Sequence, residues 1–121
     1  MKVLILLAVA ASAVVCGESP FACNTRALTP EARLRHFNEL GPKLRGLHKD
    51  VRELPDGYEF EFTAESATVQ LVSEWAVSEH LCCPFFDIEL RFEREGGGFW
   101  LRLTGRKGTK EFIRTDFAKW F

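Results

Sequence analysis

A predicted helix gives way to a predicted strand within the stretch Glu79-His80-Leu81-Cys82-Cys83-Pro84-Phe85. The residue before a proline is disfavoured in helical geometry, so the helix should end near Cys82 or Cys83. This end brings together two adjacent thiols, a carboxylate and an imidazole, where their side chains can converge on a ligand. No other segment of the sequence is as concentrated in reactive side chains.

Regular hydrophobic patterns extend from this junction in both directions. Upstream, a helix is predicted from Ser66 to Cys82, and one face has i, i+3, i+4 spacing: Leu71, Val72, Trp75, Ala76, Glu79, Cys82 and Cys83. Downstream, apolar and charged residues alternate from Phe86 to Glu93, which predicts a strand. Gly96-Gly97-Gly98 is expected to turn this strand into a partner that contains Phe99, Leu101 and Leu103.

The N-terminal half predicts a helix followed by a hairpin. Thr29-Pro30-Glu31 is typical of a helix start, with Thr29 as the cap. Apolar residues follow at helical spacing, and Gly41-Pro42 is expected to interrupt the helix: Leu34, Phe37, Leu40 and Leu44. A modest strand is predicted from Leu47 to Leu54, and Pro55-Asp56-Gly57 turns it into a second strand from Tyr58 to Phe62.

A last helix completes the order α-β-β-α-β-β-α. We expect Thr109 to cap it, with Phe112, Ile113, Phe117 and Trp120 facing inward. Tight hairpins imply antiparallel pairing, and each strand is apolar on one face only. The predicted architecture is an α+β domain over residues 18–121, a four-stranded antiparallel sheet with helices packed on one face.

Residues 1–17 form a candidate signal peptide. Lys2 precedes an apolar run from Val3 to Val15, and a run of about 13 residues fits a secretory signal better than a membrane span. Cleavage is expected after Ala13 or Gly17, and lipidation of Cys16 is the second interpretation. The sequence therefore predicts an exported, periplasmic or extracytoplasmic protein, with a lipid anchor at Cys16 as the alternative.

The balance of charge limits the partners. The chain has 16 Lys and Arg residues against 17 Asp and Glu residues. Because nucleic-acid binding requires an excess of cations to neutralise phosphates, we do not expect a nucleic-acid partner. No membrane span is predicted, and the pattern does not specify an oligomeric state.

Three cysteines lie in the predicted domain: Cys23, Cys82 and Cys83. Neighbouring Cα atoms are about 3.8 Å apart, whereas disulfides usually need roughly 4.4–6.8 Å, so Cys82 and Cys83 should not bond to each other. Their uses remain open. They could bind a soft ion (Hg, Cu or Zn) with Cys23, form one disulfide with Cys23, act as a redox or nucleophilic sulfur, or fill the core beside Phe85 and Phe86.

Ionisable neighbours leave further alternatives open. Glu79 lies on an apolar face, so it should either pair with an arginine such as Arg91 or Arg102 or have a raised pKa at a functional site. His80 could ligate a metal or lower the pKa of a thiol, or it could be a half-exposed helix residue. His36 and His48 are predicted to lie on the surface. The partial negative charge at a helix C-terminus raises thiol pKa values, which counts against an enzyme.

The motif Glu79-x-x-Cys82-Cys83-Pro84-Phe85-Phe86, followed by Leu101-x-Leu103-Thr104-Gly105, resembles small uncharacterised bacterial proteins with an E-x-x-C-C-P-F signature. Those proteins are associated with metal resistance, mercury in particular. Cys23-x-x-x-Ala27-Leu28-Thr29 and the Leu54–Tyr58 hairpin are also similar, so the resemblance covers essentially the whole predicted domain. It implies that Cys23, Glu79, Cys82 and Cys83 form one site. The candidate leader departs from that pattern.

These observations predict a small exported protein that binds a thiophilic metal ion through Cys23, Cys82 and Cys83, with Glu79 and His80 as nearby metal-site residues. No catalytic residue is predicted. The alternatives are a thiol redox protein that uses Cys82 or Cys83, and a structural domain held by a Cys23 disulfide.

Overall fold

The computed structural model describes Val3 and residues 17–121. Of the candidate signal peptide, only Val3 and Gly17 are described. Its other residues, including Cys16, lie outside the described residues. Within the described part, no helix is long and apolar enough to cross a membrane. The domain is mixed α+β, as predicted. Its strands are β1 (Asp50–Leu54), β2 (Gly57–Phe62), β3 (Asp87–Phe92) and β4 (Phe99–Thr104), and its helices are α1 (Pro30–Leu34), α2 (Gly41–Leu47), α3 (Ser66–Cys82) and α4 (Thr109–Asp116).

A π-helical segment, Arg35–Leu40, joins α1 to α2 and makes one continuous helix. Pro42 has no N–H group, and in a regular α-helix its ring would clash with the carbonyl four residues earlier. The wider π turn, in which the Gly41 N–H donates to the His36 carbonyl, avoids this clash. The predicted interruption at Gly41-Pro42 is therefore wrong, and the strand expected from Leu47 begins only at Asp50.

The buried side of this helix also differs from the prediction. The Thr29 cap is confirmed, because its Oγ1 accepts a hydrogen bond from the Ala32 N–H at 3.1 Å. However, Leu34 is 56% exposed and Phe37 is 40% exposed, whereas His36 is buried beside Leu40 and Leu44. A π turn needs more residues than an α turn, so positions four apart stay aligned on the buried side.

The four strands form one antiparallel sheet in the order β1-β2-β4-β3. In the centre, Tyr58, Phe60 and Phe62 of β2 pair with residues of β4, and all of them contribute to the buried core. Gly57 lies directly against the Leu103 carbonyl of β4, so a side chain at this position has no room. This close approach explains why a glycine starts β2.

Helices α3 and α4 contribute Val72, Trp75 and Ile113 to the same core. The order of helices and strands therefore matches the predicted α-β-β-α-β-β-α order. Thr109 is the first residue of α4 rather than its cap, because Gly108 takes the cap position with a φ of 102°. An L-residue with a side chain rarely adopts this backbone conformation, which explains the glycine.

Candidate metal centre

The end of α3 positions two of the three cysteines. The helix ends at Cys82, and the Cys83 N–H closes the last turn by donating to the Glu79 carbonyl at 2.7 Å. The segment before α1 docks on this end, because the Asn24 N–H donates to the Cys82 carbonyl at 2.7 Å. Since Asn24 directly follows Cys23, this hydrogen bond brings the third cysteine to the pair.

The three sulfur atoms lie within 4.8 Å of one another. The Sγ atoms of Cys82 and Cys83 are 4.0 Å apart, and all three residues are free thiols. Sulfur ligands held at about 2.3 Å from one ion lie roughly 3.8–4.0 Å apart in tetrahedral or trigonal geometry. Cys82 and Cys83 are buried, whereas Cys23 is half-buried. A ligand from solvent therefore meets Cys23 first.

A second group of polar side chains shares Cys82 with the first. His36 Nε2 lies 2.6 Å from Glu79 Oε2, and the same oxygen lies 3.7 Å from Cys82 Sγ. Potential ligand atoms of these three buried residues lie within 4.8 Å of one another. His36 Nδ1 has no hydrogen-bond partner among the described residues. Cys82 therefore connects a thiol cluster to a histidine–carboxylate pair.

The surroundings of the three thiols give them different acidities. The hydrogen bond between Cys82 and Cys83 lowers the pKa of Cys82 to about 4, and His36 acts in the same direction. Burial raises the pKa of Cys23 to about 12, and the hydrogen bond with Cys82 raises the pKa of Cys83. Cys82 is therefore the most acidic of the three thiols. The helix end was expected to raise thiol pKa values, but the pKa of Cys82 is lowered by its hydrogen bonds with Cys83, His36 and Cys23.

Both members of the histidine–carboxylate pair have raised pKa values. Burial raises the pKa of Glu79, although the hydrogen bond with His36 opposes this shift. Burial alone would lower the pKa of His36, but its hydrogen bonds with Cys82 and Glu79 raise it to about 9. Together the two groups can receive a proton from, or return one to, a neighbouring thiol.

The structure brings Cys23, Glu79, Cys82 and Cys83 together but places His80 elsewhere. His80 is exposed, and it belongs to neither of the two groups of ligand atoms found in residues 17–121. Cys82 and Cys83 also lie in the same hydrophobic cluster as Phe85 and Phe86, as the core-filling alternative expected. The site residues therefore contribute to the core as well.

Of the two alternatives for Glu79, the arginine partner is wrong, whereas the raised pKa is found. Arg91 and Arg102 contact Glu59 on the other face of the sheet, and His36 pairs with Glu79 instead. His36 is 2% exposed, so its predicted place on the surface is wrong. One signal could have revealed it, because His36, Leu40 and Leu44 follow each other at a spacing of four.

A cleft of about 180 Å³ leads to the site from solvent. Cys23, His36 and Glu79 lie along it. Its other walls include aromatic and charged side chains: Phe37, Arg45, Trp75, Asp116, Phe117 and Trp120. Of the three cysteines of the cluster, Cys23 lines this cleft, whereas Cys82 and Cys83 are buried behind it.

Comparison with family models, curated proteins and solved structures gives no match for the chain. The functional interpretation therefore depends on the geometry of the site.

Proposed function

We propose that this protein binds one soft metal ion through Cys23, Cys82 and Cys83. The observation that carries this proposal is the convergence of three free sulfur atoms within 4.8 Å, from two separate segments of the chain. Their spacing is close to that of sulfur ligands around a single ion. The Cys82 thiolate supplies the first ligand, and Cys23 and Cys83 lose their protons as the ion binds.

The three cysteines favour an ion that is stable with two or three thiolate ligands. Thiolate ligands select soft or borderline ions such as Cu(I), Zn(II) and, by the same softness, Hg(II). Zinc requires a fourth ligand, either water or a protein group such as Glu79 or His36, and these two residues already bond to each other at 2.6 Å. Hg(II) and Cu(I) need no fourth donor and therefore fit the three sulfur atoms better.

His36 and Glu79 act in this proposal as positioning and proton-accepting residues. Both lie against Cys82, and neither has to leave its hydrogen bond for the three thiols to bind an ion. Residues that orient metal ligands and take up their protons strengthen binding without touching the ion. The pair thus explains why a buried carboxylate lies beside a buried thiolate.

The apolar run near the N-terminus supports an extracytoplasmic location, and we propose this location for the site. The resemblance to proteins of metal resistance supports a protective role in which the protein sequesters a toxic ion. The site would then meet ions before they reach the cytoplasm.

The test is a thiol count combined with a metal titration. Protein lacking residues 1–17 is purified without reductant and titrated with Zn(II), Cu(I) and Hg(II). We expect three reactive thiols that become protected together by one equivalent of a soft ion. The Cys82→Ser/Cys83→Ser double variant should lose this binding while keeping its circular dichroism spectrum.

His80→Ala provides a matched control, because His80 is adjacent in sequence but exposed. It should bind as the parent protein does. One free thiol together with one disulfide, or an unchanged stoichiometry in the double variant, would refute the proposal.

A thiol redox function is the second candidate, and the low pKa of Cys82 favours it. Here the Cys82 thiolate attacks a small-molecule disulfide, releases one thiolate and forms a mixed disulfide. Cys23 then displaces the second thiolate and forms a Cys23–Cys82 disulfide. Turnover with a thiol reductant that is lost in Cys82→Ser and kept in Cys83→Ser would support this function. Equal, slow exchange in all variants would remove it.

A further inference from the structure

The cleft beside the thiol cluster is larger than a bare ion requires. Its volume of about 180 Å³ extends from Cys23 and His36 to the C-terminal residues Phe117 and Trp120. An apolar cavity of about 150 Å³ is enough to hold benzene. The space next to Cys23 is therefore large enough for a small organic group.

The walls of this cleft suit an aromatic or aliphatic group. Trp75, Phe117 and Trp120 form one aromatic cluster, with ring centroids 5.7–6.2 Å apart. Phe37 closes the cleft on the helical side and is 40% exposed. Aromatic side chains bind another ring or a methyl group through edge and face contacts. Arg45 adds a charge to the lining, so the cleft is not a uniformly apolar void.

We propose that the ion bound by this protein carries one small hydrocarbon group, as in an organomercury cation. This inference rests on the proposed metal-binding function and adds the class of ligand. The soft metal atom bonds to a cysteine sulfur of the cluster, and the hydrocarbon group occupies the aromatic cleft. The incoming species is R–M–X, where X is a weakly held anion.

The binding step is a ligand exchange. A thiolate donates an electron pair to the metal, the M–S bond forms, and X leaves as its anion with the electron pair of the M–X bond. The metal–carbon bond stays intact, and neither partner is oxidised or reduced. When the attacking group starts as a thiol, its proton passes to solvent or to a neighbouring base.

The experiment compares phenylmercury, methylmercury and Hg(II) as probes on the protein lacking residues 1–17. Each is distributed between the protein and a soluble monothiol, so that the intrinsic strength of the Hg–S bond cancels. We expect the protein to retain phenylmercury at least about tenfold better than methylmercury, which corresponds to about 1.4 kcal/mol. Phenylmercury should also shift the indole NMR signals of Trp75 and Trp120.

Phe37→Ala tests the wall of the cleft. It should reduce the preference for phenylmercury by about threefold, because one aromatic contact is lost, and leave Hg(II) retention unchanged. Leu47→Ala is the matched control, since Leu47 is 39% exposed, lies on the same continuous helix and does not line the cleft. Leu47→Ala should change neither the preference for phenylmercury nor the retention of Hg(II).

The outcomes separate this inference from the proposed function. Equal retention of phenylmercury and methylmercury, with Hg(II) still protecting the thiols, would overturn the organic ligand and leave metal binding in place. A Phe37→Ala variant that lowers the retention of all three probes equally would also overturn it. Failure of every probe to protect the thiols would refute the proposed function itself.

Discussion

Two buried glutamates, Glu59 on strand β2 and Glu79 on helix α3, are equally inaccessible but have very different partners. Glu59 and Glu79 are both 3% exposed. On the face opposite the core, Glu59 accepts a hydrogen bond from Arg102 Nε at 3.1 Å and lies 3.5 Å from Arg91 and 3.7 Å from Arg52. On α3, Glu79 contacts the His36 imidazole and the Cys82 thiol.

The partners of Glu59 follow from strand register. Glu59 lies opposite Arg102 on β4 and Arg52 on β1, so the cross-strand pairs place cations beside it. Guanidinium groups stay charged at every relevant pH, and these side chains remain partly in solvent. Such a network stabilises the sheet.

The partners of Glu79 are titratable, and this is the informative difference. The pKa of His36 is raised and that of Cys82 is lowered, and both groups in turn shift the pKa of Glu79. A buried carboxylate alone does not identify a functional site, because Glu59 is just as buried. The chemistry of the groups around it distinguishes the two positions.

The largest expected effect is a loss of metal affinity when Glu79 is replaced, with no loss when Glu59 is replaced. Glu79→Gln keeps the size of the side chain but removes the carboxylate that bonds to His36 and lies beside Cys82. Loss of such an outer group typically weakens metal binding by about 10–100-fold. Competition of the protein with a soluble thiol for Hg(II) measures this loss.

Glu59→Gln is the matched variant for this measurement. It should bind Hg(II) as the parent does, because Glu59 lies on the other face of the sheet. Equal losses of affinity in the two variants would show that the proposed distinction between the glutamates is mistaken.

The next effect is on stability, and here the informative substitution is at Glu59. Glu59→Gln leaves three arginines without their carboxylate, and we expect the free energy of unfolding to fall by about 1–2 kcal/mol. This is less than the loss for fully buried ion pairs, because the arginines can turn towards solvent. Urea unfolding followed by tryptophan fluorescence measures this change. A neutral or stabilising substitution would contradict a structural role for the arginine network.

The sequence was sufficient for the sheet and for most of the thiol cluster. Alternating apolar residues define the four strands, and the proline after Cys83 marks the end of α3. Glu79 shares a face with Cys82 because they are three residues apart on one helix. These features are local, so a pattern in the chain reveals them.

The pairing of His36 with Glu79 could not be predicted in the same way. His36 lies 43 residues from its partner, and pairing across such a separation depends on how two helices pack. The π turn before Pro42 also changes which residues of the first helix are buried. An ideal α-helix places Leu34 and Phe37 inward, whereas the structure exposes both and buries His36.

A smaller effect concerns the acidity of Cys82 itself. The hydrogen bond with Cys83 is the main cause of its low pKa, so Cys83→Ala should raise the pKa of Cys82 towards the ordinary value of 9.0. His36→Gln should raise it by less. A titration of the ultraviolet absorbance of the thiolate in the metal-free protein measures both shifts, with Cys82→Ser identifying the signal.

The sign of the associated change in stability follows from the direction of this pKa shift. A thiol whose pKa is depressed in the folded protein contributes stability above its ordinary pKa, and this stability is lost as the pH falls through about 4. Cys83→Ala should therefore weaken the pH dependence of unfolding that Cys82 causes. An unchanged thiolate titration in Cys83→Ala would contradict the assigned cause.

The smallest effect tests whether the face opposite the core is structural throughout. Trp100 is buried there, and the Arg52 guanidinium lies 4.0 Å from the centre of its ring. Because Arg52 is about half-exposed, Arg52→Ala should lower the free energy of unfolding by only about 0.5–1 kcal/mol, mainly through the lost cation–π contact. Hg(II) affinity should not change. A change in Hg(II) affinity would connect this face to the thiol cluster and contradict the contrast between the two glutamates. A small loss of stability without a change in affinity would support that contrast.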